Sequence, residues 1–233
     1  MTRPSISDEQ AHIYLERAAD YDRLVSAEDA DGHLQKALCE ALPRGTVADI
    51  GAGTGRIARM LADHATRFVL VERAAPMLEI ARECLRAMDL EFVSHLADAR
   101  ELPLASGSVD AAVAGWVFGH FRHWMPDGWR AEVDQAVDEL ERIVRPGGPV
   151  VVVETLGTGH EEPRKNDALD EYFAHLEGRG FERSWVRTDY AFSSADEAAA
   201  VLGEFFGDEM AADIRAKGTR RVPECTGLWR RTI

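Results

Sequence analysis

Cysteine is scarce in this 233-residue chain. Cys39, Cys84 and Cys225 are far apart, odd in number and in no C-x-x-C pair, so neither a disulfide framework nor a zinc knuckle is indicated. Long apolar runs are also missing. Nothing approaches the roughly 18 residues of a membrane span, and the longest candidate, residues 111–119, reads as a buried strand with its exit. Residues 1–11 carry Asp8 and Glu9 and lack the apolar centre of a signal peptide, so a cytoplasmic protein is expected. Positive charge is short as well: 27 Lys+Arg against 41 Asp+Glu leave a formal net charge of -14. That balance works against sequence-independent binding to nucleic acid or to an anionic membrane, although it leaves room for a local basic patch.

What is present suits one α/β domain with decorations, with 45% hydrophobic residues to build a core. Short apolar runs occur at 47–50 (VADI), 68–72 (FVLVE), 91–94 (EFVS), 109–115 (VDAAVAG) and 149–154 (PVVVVE). Separated by helical segments, they predict a parallel sheet covered on both faces. Met77, Ile80, Ala81, Cys84, Leu85 and Met88 form one helical stripe behind Pro76. Trp129, Val133, Val137, Leu140 and Val144 form another, stopped by Pro146-Gly147-Gly148. Residues 1–45 read as a helical arm, with a capping box at Ser7 and Gln10 and a second helix at 33–42. Residues 46–155 form the core. Residues 156–233 hold a polar loop (157–167), a helix ending near Gly178 and a strand within 181–192. A second capping box at Ser194 and Glu197, helix over 204–217 and a closing strand at 226–232 complete the chain.

The informative segment is Asp49-Ile50-Gly51-Ala52-Gly53-Thr54-Gly55, between a strand and a helix starting near Arg56. Alternate glycines let the backbone turn sharply and approach a ligand, and the helix start offers unpaired N–H groups. A dinucleotide fingerprint would place its third glycine at position 56, which is arginine here. Asp49 would repel a pyrophosphate but suits the ammonium of a methionine moiety, directly or through water. Glu72, ending the next strand, can accept from two ribose hydroxyls, a use shared with NAD. The pattern therefore favours S-adenosylmethionine over NAD.

The run Asp49 to Gly55 resembles motif I of the class I S-adenosylmethionine-dependent methyltransferases. Glu72-Arg73-Ala74-Ala75-Pro76-Met77 is similar to the family's next motif, Asp98-Ala99 to its acid-containing pair, and Asp110 to Phe121 to motif IV and the stretch after strand four. Arg145-Pro146-Gly147-Gly148 looks like the turn before strand five. The matches keep the family's order over about half of the chain. The resemblance implies a doubly wound, mostly parallel seven-stranded sheet with helices on both faces, a Rossmann-like fold. It implies cofactor contacts from Gly51, Ala52, Gly53, Thr54, Gly55, Arg73, Gly115 and Trp116, with Met77 by the adenine and Asp98 on its amino group. Tyr21-Asp22 resembles the Y-D pair of small-molecule members, in which the tyrosine borders the methionine end; an aromatic anchoring the arm is the other reading of Tyr21.

Methyl transfer from a sulfonium needs alignment and exclusion of water rather than an enzymic nucleophile. A general base helps where the acceptor arrives protonated. His120 is the candidate, because it follows strand four at the carboxyl edge of the sheet, where open α/β sheets place ligands. The competing reading has one of His120 and His123 capping a helix and the other facing solvent. His-x-x-His lacks a further convincing metal ligand, so no metal is expected. Of Trp116, Phe118, Phe121, Trp124 and Trp129, part must be core and the rest could wall an apolar or cationic acceptor pocket. No Asn/Asp-Pro-Pro-Tyr follows strand four, which argues with the acidic balance against a nucleic-acid substrate and for a small molecule. About 30 residues of helix between the last two strands exceed what a hairpin needs; with Phe205-Phe206 they read as a lid, a packing layer or a dimer contact. Arg220-Arg221 and Arg230-Arg231 could meet an acidic substrate or be surface charge. A nicotinamide-dependent oxidoreductase and an inactive binding module are the alternative functions, and monomer and homodimer both stay open.

Overall fold

The computed structural model describes residues 16–233. The capping box expected at Ser7 and Gln10 lies outside them. The arm contributes α1 (Ala18–Ser26) and α2 (His33–Ala41). The core follows as β1 (Thr46–Ile50), α3 (Arg56–Met60), β2 (Arg67–Glu72), α4 (Ala75–Ala87), β3 (Phe92–Leu96) and β4 (Ala111–Gly115). Then come α5 (Gly119–Trp124), α6 (Trp129–Ile143) and β5 (Pro149–Thr158). The rest is α7 (Asp167–Gly178), β6 (Glu182–Arg187), β7 (Tyr190–Ala191), α8 (Ala195–Phe206), α9 (Asp208–Lys217), β8 (Arg221–Val222) and β9 (Glu224–Thr232).

Seven strands form one sheet in the order β3-β2-β1-β4-β5-β9-β6, and β7 pairs with β8 apart from it. The first five strands are parallel; β9 runs antiparallel between β5 and β6. Side-chain alternation explains the two-sided burial. Ala48, Ile50, Ala112, Ala114, Val150 and Val152 pack towards α6 and α7, whereas Val47, Leu70, Val113, Val151 and Val153 pack towards α2, α3 and α4. A third apolar cluster joins Leu24 of α1 to Tyr190, Phe192, Leu202 and Ile214, so the arm and the C-terminal helices form one cover. Ion pairs Arg23–Glu197 (2.8 Å) and Arg17–Glu204 lie across the same seam.

Several boundaries differ from the sequence reading. β3 is shifted to start at Phe92, and β4 starts at Ala111, with Val109 making only a single bridge to Val144. β5 continues through a bulge at Thr155/Gly157 to Thr158, so the expected loop loses its first two residues to β9 pairing. Helix over 204–217 breaks at Gly207, whose φ of 94° leaves the helical region. Met88 is exposed at the α4 C-cap, past the end of the buried stripe. Ser194 Oγ accepts from the Glu197 N–H as the box requires, but the Glu197 carboxylate reaches back to Ser193 rather than Ser194.

Candidate functional site

The carboxyl ends of β1, β2 and β4 converge on a cleft that opens to solvent. Its floor is the turn after β1. Gly51 N and Ala52 N both donate to Val71 O (2.7 and 3.0 Å), which fixes the turn against β2. Gly51 has φ 70°, and a Cβ there would fall 2.3 Å from Val117 Cγ2, so a side chain is excluded twice over. Gly53 has φ 54° but open space beyond it, the nearest atoms to an added Cβ being Met77 Cε at 3.6 Å and Tyr21 Cε1 at 3.9 Å. Its missing side chain leaves room in the cleft.

Glu72 closes the end of β2. Its carboxylate accepts from Gly53 N (3.0 Å) and Ala74 N (2.8 Å), which ties the turn to the start of α4. Burial raises its pKa above the usual range, and these N–H groups oppose the rise. Asp49 lies beneath the turn, 1% exposed. Burial pushes its pKa up to about 7 against the hydrogen bond from Ala58 N, and Oδ2 has no partner among the described residues. Asp98 is held differently. Arg100 grips it through Nε (2.8 Å) and Nη2 (2.7 Å) and also reaches Glu132 (2.6 Å). The guanidinium keeps the Asp98 carboxyl below the usual carboxylate range.

Beyond β4 the wall becomes aromatic. Trp116 has φ 56°, a conformation that costs a bulky residue roughly 1–3 kcal/mol, and its N–H donates to Val153 O at 2.7 Å. On α5, His120 stacks on Trp124 (centroids 5.0 Å apart), and Arg73 lies over the same indole at 5.1 Å. The His120 ring also hydrogen-bonds the Trp116 carbonyl. Burial, His123 and Arg73 together push its pKa down to about 4, so the imidazole is neutral at pH 7. Neither part of the capping alternative describes His120, which lines the cleft; His123 is exposed.

Of the residues singled out in the sequence, Tyr21, Gly51, Gly53, Glu72, Arg73, Met77, Asp98, Ala99, Gly115, Trp116 and His120 line the cleft. Asp49, Ala52, Thr54 and Gly55 do not; they lie in or under the turn and shape it. Phe121 and Trp124 join the wall, whereas Phe118 and Trp129 are core. Val71, Ala97 and Val117 were missed; each neighbours a residue that was found, and strand ends at the ligand edge were the available signal. Glu28, Glu154 and Glu224 were missed too, because nothing in their sequence context marks a buried acid. Arg221 pairs with Asp189 (3.1 Å), and Arg231 pairs with Glu141 (2.6 Å), which accounts for these two cations without a ligand. Among the described residues no group of three or more metal-ligating side chains converges, and no helix is long and apolar enough to cross a membrane.

A methyltransferase domain family matches residues 48–152. A demethylmenaquinone methyltransferase of Thermus thermophilus is 36% identical over 110 residues, 46% of each chain. The Deinococcus radiodurans enzyme of the same name is 30% identical over 166 residues, 65% of each chain. An S-adenosylmethionine-dependent methyltransferase from Aquifex aeolicus superposes with a TM-score of 0.57 at 14% identity, over 93% of this chain and 98% of that one. The chain spans less than half the length of the first curated relatives it matches. The match over residues 48–152 and the shared fold support the class I S-adenosylmethionine-dependent methyltransferase family.

Proposed function

We propose that this protein transfers a methyl group from S-adenosylmethionine to a small organic acceptor by direct displacement. One observation carries the reading: a single cleft joins the Gly51 to Gly55 turn and Glu72 at one end to Trp116, His120, Phe121 and Trp124 at the other. The residues fit the cofactor. The bare Asp49 Oδ2 beneath the turn suits a cationic ammonium through water, and Glu72 keeps acceptor capacity for ribose hydroxyls. Met77 and Ala99 offer apolar faces for an adenine, and Asp98, fixed and ionised by Arg100, can accept from its amino group.

When bound, the cofactor supplies an electrophilic methyl on a sulfonium, and its sulfur leaves as a neutral thioether. The chain's own part is alignment and drying. Proximity effects are worth about 7–11 kcal/mol in favourable cases, so no nucleophile of the enzyme is required. The aromatic end suits a planar, largely apolar acceptor. A neutral His120 can take a proton from an acidic acceptor hydroxyl, and its low pKa makes it a weak base that suits acceptors already partly ionised. The relatives named for demethylmenaquinone, which match less than two thirds of their own length, agree with such an acceptor. The described chain fits a single unit with the arm and the 156–233 segment as its cover.

The test is to incubate the protein with methyl-labelled S-adenosylmethionine and panels of phenols, quinols, carboxylic acids and amines. Label in the small-molecule fraction with at least one acceptor is the expected result. Cofactor binding without transfer to any of them would favour the inactive-module reading.

A further inference from the structure

Behind the cleft wall lies a buried ion pair that the reading above does not use. Arg56 opens α3 and Glu28 lies in the link between α1 and α2; each is 8% exposed, and Arg56 Nη2 is 2.9 Å from Glu28 Oε1. Glu28 Oε1 also accepts from Thr188 Oγ1 at 2.9 Å and Thr226 Oγ1 at 3.3 Å, and Tyr190 adds its hydroxyl. Main-chain bonds join the same places: Asp29 N to Thr188 O (3.0 Å), Ala30 N to Asp189 O (3.2 Å) and Ala191 N to Ala27 O (2.9 Å). The Glu28 carboxylate is therefore where arm, C-terminal segment and core meet. Arg56 in turn lays its guanidinium over the Trp116 ring, 3.9 Å from the centroid.

A buried ion pair is weak as a source of stability, because desolvation offsets most of its attraction. Its value here is geometric. Trp116 stands in the left-handed region that an isolated tryptophan avoids, and something must hold it there. An arginine suits this better than a lysine, since its planar group can stack on an indole while its charge stays paired with a carboxylate.

We infer that Glu28 and Arg56 are positioning residues that hold Trp116 in the cleft wall, so that docking of the arm and the C-terminal segment sets the shape of the cofactor site. The inference rests on reading the cleft as that site, and two readouts keep the two apart. The first is affinity for S-adenosylhomocysteine by isothermal titration. Arg56→Lys keeps the charge near Glu28 but loses the planar face, and is expected to weaken binding about tenfold; Glu28→Gln should follow in the same direction. In a Trp116→Phe background the Arg56→Lys effect should fall below about twofold, because the positioned ring is gone. Equal losses in both backgrounds, or no loss in either, would overturn the inference. The second readout needs no ligand: the near-ultraviolet circular dichroism band that distinguishes wild type from Trp116→Phe. Arg56→Lys and Glu28→Gln should each diminish that band while far-ultraviolet dichroism stays native; an unchanged band in a folded variant overturns the inference. Should Arg56→Lys fail to fold, Glu28→Gln carries both readouts. Failure of the wild type to bind S-adenosylhomocysteine would overturn the proposed function and leave the band to decide the positioning.

Discussion

Between Asp49 and Gly55 the cleft wall is made of main chain. Beside it, the seam between the arm and the C-terminal helices, from which Tyr21 reaches the cleft, is made of side chains from distant parts of the sequence. The turn owes its shape to positive φ at Gly51 and Gly53, two N–H bonds to Val71 O and one carboxylate, Glu72. The cover owes its shape to Leu24 packed among Phe192, Ala198 and Leu202, the Tyr21–Phe205 edge contact (6.5 Å) and the Glu28–Arg56 pair. A backbone site is stiff and specifies one ligand geometry. A side-chain seam can be re-cut without disturbing the turn.

The sharpest way to break this division is Glu72→Ala. It removes any ribose contact and leaves the Gly53 and Ala74 N–H groups without their acceptor, so S-adenosylhomocysteine affinity should fall at least about 100-fold, roughly 3 kcal/mol. Unchanged affinity in titration would remove Glu72 from the site. Next, His120→Ala should lower turnover about 100-fold with an acceptor returned by the labelling panel, while cofactor affinity changes little. Wild-type turnover would make His120 purely a wall residue.

Glu154 tests burial below the site. Its carboxylate takes Gly119 N–H (3.0 Å) and the Tyr172 hydroxyl (3.0 Å), and burial pushes its pKa up to about 7. A carboxyl with a raised folded pKa binds its proton more tightly folded than unfolded. Its favourable contribution is present below the unfolded value near 4.5 and is lost as pH rises through about 7. Glu154→Gln should therefore match wild type near pH 4.5 and exceed it at pH 8 by on the order of 2 kcal/mol. Urea melts at both pH values check this, and parallel pH profiles would contradict it. Smallest is Arg23→Ala, which cuts the exposed pair to Glu197 and should leave the urea midpoint almost unchanged. A larger loss would mean that charge rather than Leu24 packing holds the cover.

The same division explains what could be read in the sequence. The five parallel strands, α2, α4 and α6 announced themselves through local periodicity, and the turn through glycines whose positive φ is a local property. Errors fell at element ends: pairing with β2 decides the start of β3, pairing with distant β9 decides the end of β5, and a single glycine, Gly207, breaks the last helix in two. Glu72 could be found because it ends a strand at the ligand edge, and Asp98 and Trp116 through the resemblance of their segments to the family's motifs. Glu28 could not: its partners Arg56, Thr188 and Thr226 are 28 to 198 positions away, and only the folded chain brings them together. Arg100 was missed for a related reason, since its grip on Asp98 depends on rotamer and not on spacing.

The central claim is that the turn and Glu72 form an S-adenosylmethionine site. Isothermal titration of the full chain with S-adenosylhomocysteine, and separately with NAD and NADP, tests it most directly. One S-adenosylhomocysteine should bind per chain with a Kd of about 10 µM or tighter, and neither dinucleotide should give heat. Saturable dinucleotide binding with no response to S-adenosylhomocysteine would contradict it.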